Sequence, residues 1–304
     1  MKEQFRGMIA LLTATIIWGS AFIAQSVGMD LIGPFTFQAI RCALAVVFLL
    51  LLTLLFDWKN GGIPHWIRQW KDPALWKAGC ICGTALFVAA SLQQIGLVST
   101  DAGKAGFITA MYIVFVPFAG LLIGRRPKKS ALISVVLAVI GLYLLSCMGA
   151  SGLNKGDLFV FGGAIGFTIQ ITLIDLTCAK VDGLRLNCIQ ALVVSLLSVP
   201  FMLLTEEVSP KLIFDCWLPI SYAGILSMGV AYSLQIIGQK HVEPTAASLI
   251  MSLESVFAVL FGWLLLHETM SAWETAGCIL VFCAVILAQL PERKKSISTQ
   301  KELA

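Results

Sequence analysis

Charge is what this sequence has least of. Asp, Glu, Lys and Arg together supply 12% of its 304 residues, about half the share found in soluble domains. A soluble chain of this length could not cover its surface with so few ionised groups, so lipid must be its main solvent. Hydrophobic residues reach 58% and mean hydropathy is +0.90. Room for an extramembrane domain is also missing, because spans of about 20 residues each consume most of the chain. A Walker-type phosphate loop is absent, which excludes an internal ATPase. Only three His occur, and His267-Glu268 is followed by Thr269-Met270-Ser271 rather than completing a His-Glu-x-x-His zinc site. Neither a Gly-x-Ser-x-Gly nor a Gly-x-Gly-Asp element is present, so an intramembrane enzyme has no motif to rest on. No metal or cofactor site is expected. The net charge of +4 is too small to imply nucleic-acid binding. Of the nine Cys, Cys42, Cys80, Cys82, Cys147, Cys178, Cys188, Cys278 and Cys283 fall inside apolar stretches, where Cys behaves as a small buried hydrophobe.

What is there is a series of long apolar runs. Ten spans are expected at 7–27, 34–56, 75–98, 102–123, 130–148, 157–178, 184–204, 217–238, 245–266 and 272–290. The first apolar run is too long for the core of a cleavable signal and reads as a mature span. The longest connection is 57–74; most others are a few residues, so consecutive helices are close neighbours. Lys and Arg accumulate in cytoplasmic loops. With the N-terminus inside, seventeen of them fall on inner segments and only Lys104, Lys155 and Lys211 on outer ones; Arg41 lies within a span. The expectation is a multi-pass protein of the cytoplasmic membrane with both termini cytoplasmic.

The chain also repeats itself. Residues 88–96 (Val-Ala-Ala-Ser-Leu-Gln-Gln-Ile-Gly) match 230–238 (Val-Ala-Tyr-Ser-Leu-Gln-Ile-Ile-Gly) at seven of nine positions, an offset of 142. Earlier in each half an offset of 149 pairs Gly7 with Gly156, Ile16 with Ile165 and Arg41 with Gln190. The expected organisation is a five-helix unit over 1–148, a turn-rich linker over 149–156, a second five-helix unit over 157–290 and a basic tail over 291–304. Five is odd, so the second unit enters the membrane inverted. The fold class is therefore an all-α integral membrane protein of ten helices in two inverted repeats. Transporters with this plan place substrate near the midplane between the repeats.

Several segments resemble the drug/metabolite transporter superfamily, EamA family. Ile17-Trp18-Gly19-Ser20-Ala21-Phe22 looks like its first-helix signature, Arg41 like its second-helix basic residue. Pro244 to Leu249, Leu253-Glu254 and Leu266-His267-Glu268 resemble its ninth helix. Ser255 stands where the family often has Pro, and Arg125-Arg126 where its fourth helix often ends in Gly-Glu. The resemblance covers essentially the whole chain. It implies export of amino acids, other metabolites or toxic compounds without choosing among them.

Ionisable groups inside a span are costly and usually face a cavity or a partner. Glu254 stands about 14 Å into its span and Arg41 about 10 Å from the outer face, at 1.5 Å per residue. Glu254 either binds a substrate amine or coupling proton, or is a structural carboxylate held by Ser252 or Ser255. Arg41 either meets a substrate carboxylate, pairs with Glu254, or snorkels to the outer interface. Trp18 sits near the midplane, where its indole suits either a substrate or helix packing. Tyr112 holds the repeat position of Glu254. Gln93, Gln235, Ser91 and Ser233 recur in both halves and suit gating or interhelical hydrogen bonds. Asp175, and Asp101 with Lys104, are expected at interfaces. Gly79/Gly83, Gly120/Gly124 and Gly162/Gly166 are expected at close helix crossings.

The resulting expectation is a secondary transporter, not an enzyme, moving small amphiphilic metabolites by alternating access. Its partners are a small-molecule substrate, membrane lipid and a candidate coupling proton, with no nucleic acid; monomer and homodimer both stay open. A small polar-solute channel is the alternative, and an intramembrane enzyme comes after it.

Overall fold

The computed structural model describes residues 2–59, 61–100, 102–125, 127–146, 154–266 and 271–289, which form helices and their connections without a strand. In chain order the helices are α1 (Lys2–Met29), α2 (Pro34–Trp58), α3 (Gly62–Gln69), α4 (Pro73–Leu97), α5 (Ala102–Ala110), α6 (Tyr112–Leu122), α7 (Lys129–Ser146), α8 (Lys155–Thr177) and α9 (Gly183–Thr205). They continue as α10 (Pro210–Asp215), α11 (Trp217–Ser221), a π-helix (Tyr222–Ala231), α12 (Tyr232–Gln239), α13 (Pro244–Met251), α14 (Leu253–Leu266) and α15 (Ala272–Gln289). Among the described residues nine helices, some built from two or three of these elements, are long and apolar enough to cross a membrane; the apolar part of α7, Lys129–Leu144, is shorter. Asp101, Arg126, Cys147, His267, Glu268, most of the linker and the basic tail lie outside the described residues.

Helix starts follow ordinary capping chemistry. Pro34, Pro73, Pro210 and Pro244 open their helices, where a missing N–H costs nothing. Asn154 and Asp157 form a capping box on α8, and Asp182 caps α9 through Arg185 N (2.9 Å). The start of α2 has no cap of its own from Gly33. Glu206, at the end of α9, supplies one across space: its carboxylate accepts from Phe35 N (2.7 Å), Thr36 N (2.8 Å) and Thr36 Oγ1 (2.7 Å). At the opposite end of the same helix pair Asp57 forms a buried ion pair with Arg185.

Glycines bring the first helix of each half against the other half. A Cβ on Gly238 would stand 2.9 Å from Gly7 O, and one on Gly96 would stand 2.7 Å from Gly156 O. The first contact joins α12 to α1, the second α4 to α8. In general α8 packs on α4, α5 and α6, whereas α1 packs on the π-helix, α12, α13 and α14; α2 pairs with α9 and α7 with α15. Gly79 and Gly83 lie against Ile189 and Val193 of α9, and Gly162 and Gly166 against Leu92 and Ala89 of α4. Gly120 and Gly124 do not behave as expected. Gly120 meets only its own following turn, and Gly124 ends the helix at φ +79° with open space around it.

Three spans are irregular. The fourth and ninth are interrupted at Met111 and Ser252, where i→i+3 hydrogen bonds run from Val114 N to Met111 O (2.9 Å) and from Ser255 N to Ser252 O (3.3 Å). The eighth contains the ten-residue π-helix, whose Gly224 presses on the backbone of Arg41 (2.7 Å from a Cβ to Arg41 O). Asn187 Nδ2 donates to two of its carbonyls, Met228 O (2.8 Å) and Gly229 O (3.2 Å). Among the described Cys none is in a disulfide; Cys42, Cys82, Cys178, Cys188 and Cys278 are buried as expected, but Cys80 and Cys283 are exposed. These two face away from the core.

Candidate functional site

A cavity lined by polar and aromatic side chains opens in the interior. One wall comes from α4, α5, α6 and α8, the other from α1, the π-helix, α12, α13 and α14, with Arg41 reaching in from α2. Six of the residues expected at the site line it: Trp18, Arg41, Gln93, Tyr112, Gln235 and Glu254. Ser91 and Ser233 do not. Ser91 accepts from Gln38 Nε2 (2.9 Å), and Ser233 accepts from Asn187 Nδ2 (3.0 Å) while donating to Gly229 O (2.6 Å). Both are helix-to-helix fasteners.

The cavity holds one charge of each sign. Arg41 and Glu254 are each 6% exposed, and no ion pair joins them among the described residues. Depth counted along each span allows such a pair, but the two side chains take other partners. Arg41 Nη1 instead donates to Gln25 Oε1 (2.6 Å), and its guanidinium lies 5.5 Å from the Phe37 ring centre. This excludes snorkelling. Glu254 accepts from the Tyr112 hydroxyl (3.1 Å). Ser252 turns back to Leu249 O (2.8 Å), and Ser255 Oγ has no partner, so neither hydroxyl fixes the carboxylate.

Local sequence explains these placements. Gly19 lets the α1 backbone approach α14 at Glu254, since a Cβ there would stand 2.9 Å from Glu254 O. Trp18, Phe22 and Gln25 follow at i, i+4 and i+7, one face of α1. Phe167, Gln170 and Ile171 share one face of α8 at i, i+3 and i+4. Trp18 meets Tyr232 edge to face at 5.0 Å, and its indole N–H, like Arg41 Nε, has no protein partner. Gln93 donates to Thr109 (2.9 Å); Gln235 donates to Gln170 (3.3 Å), which donates to Gln190 (3.3 Å). Gln93 and Gln235 line the cavity four residues before the ends of α4 and α12. Gln25, Gln170 and Tyr232 were not singled out from sequence, although a Gln on the face of Trp18 is a readable signal.

Of the expected interfacial charges, Asp175 pairs with Arg125, and Lys104 with Asp157 (2.6 Å). No group of three or more His, Cys, Asp or Glu able to hold a metal occurs among the described residues.

Helices of this length and apolarity around a buried polar cavity define a polytopic membrane protein. Comparison with known proteins specifies it further. The EamA-like transporter family matches over residues 5–147 and 154–290. An uncharacterized transporter of Archaeoglobus fulgidus is 30% identical over 93% of this chain and 85% of its own length. YoaV, an uncharacterized transporter of Bacillus subtilis, is 21% identical over 92% and 95%. A chloroplastic WAT1-related protein of Arabidopsis thaliana is 23% identical over 96% and 71%. A solved crystal structure shares the fold with a TM-score of 0.76 at 18% identity, covering 93% of this chain and 96% of the other. The chain belongs to the EamA-like transporter family.

Proposed function

We propose that this protein is a secondary transporter that exports small zwitterionic or amphiphilic metabolites, amino acids among them, across the cytoplasmic membrane by alternating access. The observation that carries the reading is one cavity lined by both Arg41 and Glu254, each buried and with no ion pair between them among the described residues. A buried charge needs a partner. A solute bearing both an amine and a carboxylate supplies one to each, and Phe22, Phe167, Ile171 and Met251 give its apolar part a wall. Glu254 is also the group through which a proton would exchange for the amine.

The architecture proposed is two inverted five-helix units with both termini cytoplasmic. Its support is the duplicated contact set: Gly7 with Gly238 and Gly156 with Gly96, each joining the first helix of one unit to the third of the other. Counterflow in proteoliposomes tests the transport reading. Labelled amino acids and organic cations are offered to vesicles preloaded with the unlabelled solute. Accumulation driven by counterflow is expected for at least one zwitterion. Flux that never exceeds passive equilibration, together with ionic conductance, would favour a channel instead.

A further inference from the structure

The repeat offset drops from 149 to 142 between the second and third spans, so the first half is seven residues longer there. That connection holds α3. Four of the eight Trp, Trp58, Trp66, Trp70 and Trp76, fall within it and the turns beside it. Trp66 and Trp70 face the protein. Trp66 Nε1 donates to Thr53 Oγ1 (3.0 Å), and the Trp70 ring lies 5.8 Å from the guanidinium of Arg185, the partner of Asp57. The other edge is open: Ile63 is 49% exposed, Ile67 46% and Trp58 63%.

Lys59, Arg68, Lys71 and Lys77 accompany this apolar edge, all exposed. None forms an ion pair among the described residues; Arg68 reaches only the His65 ring (3.4 Å). The neighbouring carboxylates are engaged, Asp57 by Arg185 and Asp72 as the cap of α4 (2.9 Å to Ala74 N). The matching connection of the second half has the opposite character. It holds α10, with Lys211 set against Glu206, Glu207 and Asp215. The basic and aromatic surface is therefore a property of one face and not of the repeat.

We propose that α3 and its flanking turns form a binding surface for the headgroups of anionic phospholipids in the adjoining leaflet. Trp and Ile side chains sit at the boundary between headgroups and acyl chains. Lys and Arg stems run along that boundary to place their charges at the phosphates. Each basic residue near an anionic leaflet strengthens attraction roughly fivefold. Because Trp70 rests on the Arg185–Asp57 pair, lipid seated on α3 bears on the junction of α2 with α9. This inference stands apart from the transport reading, since it concerns a different surface and needs no substrate.

The test uses the full chain in phosphatidylcholine vesicles containing brominated phosphatidylglycerol or brominated phosphatidylcholine at equal mole fraction, with tryptophan fluorescence as the readout. Brominated phosphatidylglycerol is expected to quench more strongly, and less so at high salt. The combined Lys59→Gln, Arg68→Gln, Lys71→Gln variant should lose the preference while keeping the wild-type melting temperature. Trp58→Leu, which keeps the charges, should retain the preference with less total quenching. Equal quenching by both lipids in the wild type would overturn the proposal. So would a preference that survives the triple substitution, because the anionic lipid would then be held elsewhere.

Discussion

The Tyr112 hydroxyl donates to Glu254 Oε1 across 3.1 Å, and the two residues occupy the same position in the repeat, 142 residues apart. Residues that match in the repeat and touch each other lie at the meeting of the two copies. One copy supplies a neutral donor and the other an acid. In each of the two matched pairs, Tyr112 with Glu254 and Arg41 with Gln190, only one member carries an acidic or basic group.

Glu254→Gln keeps an acceptor for Tyr112 and removes the charge. Insertion and folding should be normal, counterflow should fall to near background, and any remaining flux should no longer vary with pH. Tyr112→Phe removes the donor alone and should cost about 1 kcal/mol of stability, with transport retained at a lower rate. Full transport with an unchanged pH profile in folded Glu254→Gln would reduce Glu254 to a structural role.

Gln25 positions Arg41 rather than meeting solute charge itself. Gln25→Leu leaves the guanidinium without that acceptor, and hydrogen bonds to charged groups contribute about 1.5–3 kcal/mol. The apparent KM for carboxylate-bearing solutes should rise about tenfold, with little change for cations lacking a carboxylate. Equal effects on both solute classes would point to general disorder of the cavity.

Gly96→Ala and Gly238→Ala should each lower thermal stability, since the added methyl would meet the opposing backbone at 2.7 Å and 2.9 Å; overpacking of this kind costs about 1–3 kcal/mol. Gly120→Ala should be close to neutral. Melting curves in detergent distinguish the two groups, and a neutral Gly96→Ala would mean that α4 and α8 can separate without penalty.

Single Cys residues report sidedness. In a Cys-free background Lys155→Cys, at the start of α8, should react with a membrane-impermeant reagent from outside, and Lys71→Cys, after α3, only after the membrane is permeabilised. Labelling of both from one side would end the inverted arrangement.

Sequence revealed the residues whose burial is costly. Trp18, Arg41 and Glu254 stand out because a large indole or a charge in an apolar run needs a reason. Their partners were harder to read. Depth counted along a helix says nothing about azimuth, so a pair with Glu254 stands among three alternatives for Arg41, whereas Gln25 takes the guanidinium. The π-helix is set by packing, with Gly224 against the Arg41 backbone, and no local propensity announces it. The break at Ser252 has only a hydroxyl, Ser252 Oγ to Leu249 O, as a local sign. The short helix α3 lies inside the connection expected over 57–74, where Gly62 and Pro64 in its first turn give no helical signal.

The Gly96 and Gly156 contact also has a consequence for biosynthesis. The face of α4 that carries Gly96 is covered by α8, a helix translated later, and α1 likewise waits for α12 to cover Gly7. The first five helices thus leave the ribosome with two seams still open to lipid. Neither seam closes until the second unit has entered the membrane, so expressing residues 1–148 alone should yield a protein that inserts but does not reach its final packing.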